Sequence, residues 1–274
     1  MSHPGTQTEI PGIQRPSLVV SASRRTDLVS CHPDYLIEKL RDYPPDRVHT
    51  LVIWTKNPEN MIVPGKLREV LSAYAQVYVH LTITGLGGSL LEPNIPAWKT
   101  VSNMVPNLAD MVKGAQRITW RFDPLIEVET ENGILGNFPL FSNIAGTIGR
   151  YGITTCRTSW VEPYKKVTRR LEKKNIRLRI LSSAERQAQA RELEAQAKTF
   201  AMALSYCAMA GFPRSRCIDG ELFSRLHPDG LPCSGKRARG QRRLCGCTES
   251  LDIGWYSQKC GNGCLYCYAE PLIK

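Results

Sequence analysis

The chain ends in the stretch KCGNGCLYCYAEP, where Cys260, Cys264 and Cys267 stand in the spacing C-x3-C-x2-C. Three thiolates this close can wrap one iron–sulfur cubane and leave its fourth iron without a protein ligand. An open metal position can take a small molecule as a chelating ligand. Gly261 and Gly263 let such a loop turn tightly. Tyr266, between the second and third cysteines, can shield a cluster or touch its ligand. Zinc is the competing metal. It takes four ligands, commonly as paired C-x2-C units, and Cys245 and Cys247 could complete its set.

Ten cysteines occur in 274 residues, and eight of them fall between Cys207 and Cys267. Cys207, Cys217, Cys245 and Cys247 form a second candidate set of four. Four thiolates fully ligate a cubane or a zinc ion, giving an auxiliary 4Fe–4S cluster or a zinc site. The plain alternative is that two or more of them are buried, inert thiols. Cys233 lies in the loop PDGLPCSGK and reads as a spare, and Cys31 and Cys156 read as packing residues. A secreted disulfide framework belongs to short chains with a signal peptide, and this sequence resembles neither.

Hydrophobic residues make up 42% and charged residues 22%, an ordinary globular balance. No apolar run is long enough to cross a membrane. The start MSHPGTQTEIPGIQRP lacks the basic and apolar blocks of a secretory signal, so a cytoplasmic location is expected. The net charge of +11, from 36 Lys and Arg against 25 Asp and Glu, favours anionic partners, nucleic acid among them. There is no Walker loop, no GxGxxG and no Ser–His–Asp set.

The elements that must carry these residues show a regular beat. Apolar, β-branched runs at 17–23, 48–55, 76–84, 116–122 and 153–161 read as strands, with a weaker one at 208–212. Helical spacing fills 33–41, 58–73, 96–113, 136–149, 163–174 and a long stretch from Ser183 to Tyr206. Strands alternating with helices predict an α/β fold with a parallel sheet covered on both faces. Three parts are expected: a mobile arm over 1–16, a β/α unit over 17–206, and a Cys-rich segment over 207–274.

Polar residues cluster at the C-terminal ends of the strands: Ser21, Ser23, Arg24 and Arg25; Thr55 and Lys56; Thr82 and Thr84; Arg121 and Asp123; Ser159. Ligands of parallel α/β sheets bind at that edge. Arg121 can pair with a carboxylate or phosphate, and Arg24 and Arg25 can meet a substrate anion or cap a loop. The run GKRARGQRR (235–243) suits phosphates or simple solvation beside an anionic cluster.

C-x3-C-x2-C followed by Tyr-Ala resembles the cluster loop of radical S-adenosylmethionine enzymes, and GCLYCYA is similar to the branch containing spore photoproduct lyase. The whole chain resembles an uncharacterised bacterial family, a domain of unknown function. The matching stretches are SASRRTD (21–27), IWTKNP (53–58), the segment from LTITG to EPNIP (81–96), WRFDP (120–124), and CGCTESLDIGWY with the cysteine tail. The resemblance implies a partial (β/α)6 TIM-like barrel and an open 4Fe–4S cluster on Cys260, Cys264 and Cys267. It also implies S-adenosyl-L-methionine as cofactor and a reductant such as flavodoxin or ferredoxin. It gives Thr55 and Lys56 the methionyl carboxylate. It gives Thr82, Thr84 and Glu92 the ribose or amino group.

Such enzymes usually carry the cluster loop after the first strand, near the N-terminus. Here it lies at the other end, while the other stretches keep their order. Circular permutation reconciles the two: LDIGWY (251–256) would be the first strand, and SLVVSAS the second. The expected activity is a radical enzyme acting on an unknown substrate, with the basic charge favouring an anionic one. A zinc-stabilised nucleic-acid-binding protein and a two-cluster electron carrier are the alternatives.

Overall fold

The structure, a computed structural model, describes residues 17–273. The expected arm at 1–16 lies outside the described residues. The strands are β1 (Leu18–Ala22), β2 (Val48–Thr55), β3 (Val77–Thr82), β4 (Ile118–Leu125), β5 (Glu127–Thr130), β6 (Gly133–Gly136), β7 (Thr155–Trp160), β8 (Arg177–Leu178), β9 (Ala203–Tyr206) and β10 (Leu251–Asp252). The helices are α1 (Leu28–Cys31), α2 (Pro33–Leu40), α3 (Glu59–Ile62), α4 (Lys66–Ser72), α5 (Trp98–Asn103), α6 (Val105–Met111), α7 (Phe141–Gly149), α8 (Lys165–Glu172), α9 (Ser183–Thr199) and α10 (Gly220–Leu226).

Seven strands form one parallel sheet in the order β10-β1-β2-β3-β4-β7-β9. That is one strand more than a six-stranded unit. The end strands β10 and β9 do not pair among the described residues, so no closed barrel forms. The strand expected near 251 lies parallel beside β1, with Val20 opposite Leu251 and Ser21 opposite Asp252. It is only two residues long, not the six of LDIGWY. Past it the chain presses Gly254 against Ser23, where a Cβ would meet Ser23 Oγ at 2.2 Å.

Both faces of the sheet are covered, which is why β2 is buried at every position. Leu51, Ile53, Val79 and Leu81 join the core beneath the helices. Val52, Trp54 and Tyr78 face the other way and pack against Cys217, Ile218, Phe223, Cys245 and Cys247. The Cys-rich segment thus covers the second face. Sheet side chains satisfy its buried carbonyls, which have no ladder of their own. His80 Nε2 contacts Cys217 O at 2.6 Å, His49 Nε2 contacts Leu231 O at 2.9 Å, and Gln76 Nε2 donates to Phe223 O at 3.0 Å.

Several boundaries differ from the sequence reading. The helix expected over 58–73 is interrupted at Val63-Pro64-Gly65, where Pro64 has no N–H to donate. The helix expected over 96–113 divides at Met104, the residue before α6 with its early Pro106. The long helix begins with a capping box between Ser182 and Glu185 but stops at Thr199, not Tyr206. Ala201 takes φ 50°, and Met202 N bonds back to Ala197 O, closing the end. The strand that follows this helix is therefore β9 and not 208–212. The antiparallel trio β6-β5-β8 was not expected. Its two-residue turn is Glu131 and Asn132, closed by the pair Thr130–Gly133, with Gly133 at φ 106°. No helix among the described residues is long and apolar enough to cross a membrane.

Phe141 of α7 is fully buried, with ring centroids 5.0 Å from Trp120 and 5.3 Å from Phe122. Phe141→Ala is expected to lower stability by about 3–5 kcal/mol. Denaturant melts check this, and a loss under about 1 kcal/mol would contradict a close-packed core here.

Candidate functional site

All seven sheet strands run parallel, so their C-terminal ends share one edge. A cavity of about 430 Å³ opens there. Its wall takes Ser23, Thr55, Lys56, Thr82, Arg121, Asp123 and Ser159 from the strand ends. Cys260, Cys264, Tyr266 and Cys267 face it from the terminal loop, and Cys207, Cys217, Cys245 and Cys247 from the segment covering the sheet. Seven of the ten cysteines therefore border one space.

Three expected contacts do not line it. Ser21 is fully buried, donating to Asp252 Oδ2 at 3.1 Å and accepting from Trp54 Nε1 at 3.0 Å, so it ties strands together. Thr84 accepts from Leu86 N at 3.2 Å in a turn. Glu92 is buried behind Lys56, which donates to its Oε1 at 2.8 Å and to Tyr266 Oη at 3.0 Å. Tyr266 Oη also hydrogen-bonds Glu92. Burial works to lower the Lys56 pKa, but Glu92, helped by Cys264, holds it above the usual lysine value. Burial, with Glu92 beside it, keeps Tyr266 neutral far above its ordinary range. An ammonium is thus fixed one residue beyond β2, at the cavity wall.

Asp27 was missed. Its side chain caps α1 by accepting from Ser30 N at 3.0 Å. It also accepts from Thr55 Oγ1 at 3.0 Å, Lys56 N at 2.8 Å and Asn262 Nδ2 at 3.1 Å. One carboxyl joins the ends of β1 and β2 to the cysteine loop, and burial raises its pKa. Its sequence signals were an Asp just before an apolar run, a helix-cap type, and its place at the end of the stretch SASRRTD. The loop is held elsewhere too. Arg170 of α8 donates to Leu265 O at 2.9 Å and Cys267 O at 2.8 Å, and Asn94 Nδ2 donates to Gly261 O at 2.8 Å.

Nothing in the sequence sets Cys31 beside the cysteine loop, yet its Sγ stands 3.8 Å from Cys260 Sγ, so it is no mere packing residue. The hydrogen bond with Cys260 lowers the Cys31 thiol to about 6 and raises Cys260. Burial raises Cys264 and Cys267. Cys156 is buried in the main core.

The second set packs together against one face of the sheet, and its thiols shift one another: Cys207 and Cys247 lower the Cys217 pKa, and Cys247 lowers that of Cys245. Arg242 Nη2 donates to Cys207 Sγ at 3.5 Å. Arg157, buried nearby, favours the Cys217 thiolate and has Nε and Nη1 without partners. Among the described residues no three His, Cys, Asp or Glu form a ready-made site for a single ion. A cubane sets its sulfur ligands wider apart than one ion does.

The mouth is basic and aromatic. Arg121 pairs with Asp123 and lies 5.0 Å from the Trp54 ring centroid, and Arg25 lies 4.4 Å from that of Tyr256. Gly240 to Arg242 of the basic run close one side.

No curated protein and no solved structure matches the chain. One family does, over residues 42–269, a span that includes β2 to β4, both cysteine sets and the loop to Ala269. The chain belongs to that family, described as "Domain of unknown function (DUF1848)".

Proposed function

We propose that this protein is a radical S-adenosylmethionine enzyme on a circularly permuted, partial β/α barrel. What supports this is the single cavity that joins the C-x3-C-x2-C cysteines to the C-terminal strand ends. The parallel pairing of β10 with β1 is what a permuted first strand would make. The donor set fits the group: three thiols on one wall are the ligand type that iron–sulfur clusters take. Cys260, Cys264 and Cys267 would hold the open 4Fe–4S cluster. With S-adenosylmethionine bound as well, that group supplies reductive cleavage to methionine and a 5′-deoxyadenosyl radical, which takes hydrogen from a substrate.

The chain's own residues do the rest. Lys56 offers a fixed ammonium to the methionyl carboxylate. Thr55 is occupied by Asp27 and so positions that lysine rather than reaching a ligand. Thr82 offers a hydroxyl at the wall, while Ser23 Oγ is taken up, donating to Asp252 Oδ1 at 2.7 Å and accepting from Arg25 N at 3.1 Å. Cys207, Cys217, Cys245 and Cys247 would hold the auxiliary cluster or zinc, with Arg121, Arg157 and Arg242 offsetting its negative charge. Arg24, Arg25 and Arg121 favour an anionic substrate at the mouth. Electrons would come from a flavodoxin or ferredoxin.

Anaerobic reconstitution with iron and sulfide tests this. A cubane signal that changes when S-adenosylmethionine is added supports the proposal, and zinc binding without iron uptake contradicts it. Lys56→Gln removes the ammonium but keeps a donor. It is expected to weaken S-adenosylmethionine binding about ten- to a hundredfold, the worth of a charge-assisted hydrogen bond, with iron content unchanged.

A further inference from the structure

We propose that Cys31 and Cys260 form a reversible disulfide that withdraws Cys260 from the cysteine loop. Their sulfurs lie 3.8 Å apart although 229 residues separate them in sequence. A bond at about 2.05 Å needs only a small further approach.

The two backbones are fastened on either side of the pair. His32 Nε2 hydrogen-bonds Lys259 O at 2.7 Å on one side. On the other, Asn262 Oδ1 accepts from Ser30 Oγ at 3.3 Å and Cys31 Sγ at 3.5 Å, while Asn262 Nδ2 donates to Asp27. Gly261 leaves room between them: a Cβ there would touch Cys31 Sγ at 3.5 Å. Cys260 borders the cavity, and Cys31 does not. A bond between them therefore turns the Cys260 sulfur out of the cavity wall.

The oxidant is a small soluble disulfide of the glutathione type. Cys31 is half-buried and Cys260 buried, so Cys31 is reached first. The Cys31 thiolate attacks one glutathione sulfur and releases one glutathione thiolate. The Cys260 thiolate then attacks the Cys31 sulfur of the mixed disulfide and releases the second. Two electrons pass from the protein thiols to the oxidant, and the two thiol protons end on the two glutathiones. A dithiol reverses both steps. With Cys260 bound, only Cys264 and Cys267 remain for a cubane, so the site is off under oxidation and recovers on reduction. This consequence rests on Cys260 being a cluster ligand, but the disulfide itself does not.

The test treats the metal-free full-length chain with glutathione disulfide, traps free thiols by alkylation, and maps peptides by mass spectrometry. The expected product joins the Cys31 and Cys260 peptides, lighter by two hydrogens than the thiols. It disappears in Cys31→Ser and in Cys31→Ala, in which Cys260 becomes alkylatable again. It also disappears on treatment with dithiothreitol, and iron uptake then returns. Cys260 joined to Cys264 or Cys267, or both Cys31 and Cys260 remaining alkylatable, overturns the proposal. The two proposals fail separately. A chain that makes this link but never binds iron removes the radical enzyme and keeps the disulfide. A chain that cleaves S-adenosylmethionine without ever making the link does the reverse.

Discussion

Cys264→Ala is expected to abolish 5′-deoxyadenosine formation under dithionite while the sheet stays folded. Cys264 is 5% exposed and borders the cavity, so its thiol is available to a cluster and hidden from bulk water. Two remaining thiolates cannot hold three corners of a cubane. The fold is expected to survive because the loop follows the last sheet strand, β10, and is anchored by Asp27, Asn94 and Arg170 rather than by its sulfurs. Circular dichroism and melting checks the fold, and chromatography of 5′-deoxyadenosine checks the chemistry. Retained cleavage in Cys264→Ala would return the loop to zinc.

The second large effect concerns iron. Fully reconstituted protein is expected to hold about eight irons per chain, falling to about four in the Cys245→Ala, Cys247→Ala double variant. Cys207, Cys217, Cys245 and Cys247 pack in one cluster against the sheet, and the double variant takes two of the four thiols from it. Removing them leaves Cys207 and Cys217 with too few partners for a four-thiolate site. Metal analysis of both proteins decides it. Four irons in the intact protein would remove the second cluster, and one zinc in place of the other four would make that site structural.

The sheet was legible in the sequence because β1, β2 and β3 are buried almost throughout and are rich in apolar, β-branched residues, while β4 and β7 mix apolar residues with Arg and Thr over short runs of strand length. The expected and observed limits of β2, 48–55, coincide. Strand β9 was hidden because Ala203–Tyr206 continues the Ala-rich composition of α9, and its stop signal is Ala201 at positive φ rather than a glycine. The β5–β6 hairpin was hidden because Glu127 and Glu129 lie on a strand of only four residues. In the site, spacing revealed Cys260, Cys264 and Cys267 because they are local. Asp27 and Cys31 meet the same loop from the far end of the chain, and no sequence spacing carries a contact across 229 or 235 residues. Ser21, Thr84 and Glu92 were legible as polar residues near strand ends but not as buried supports. Which side of the wall each occupies depends on neighbours from other elements.

The most direct measurement is chromatography of anaerobically reconstituted, intact protein after mixing with dithionite and S-adenosylmethionine. 5′-Deoxyadenosine and methionine are expected in equal amounts, formed only when protein, reductant and iron are all present. Protein loaded with a full complement of iron–sulfur cluster that leaves S-adenosylmethionine uncleaved would contradict the proposed activity.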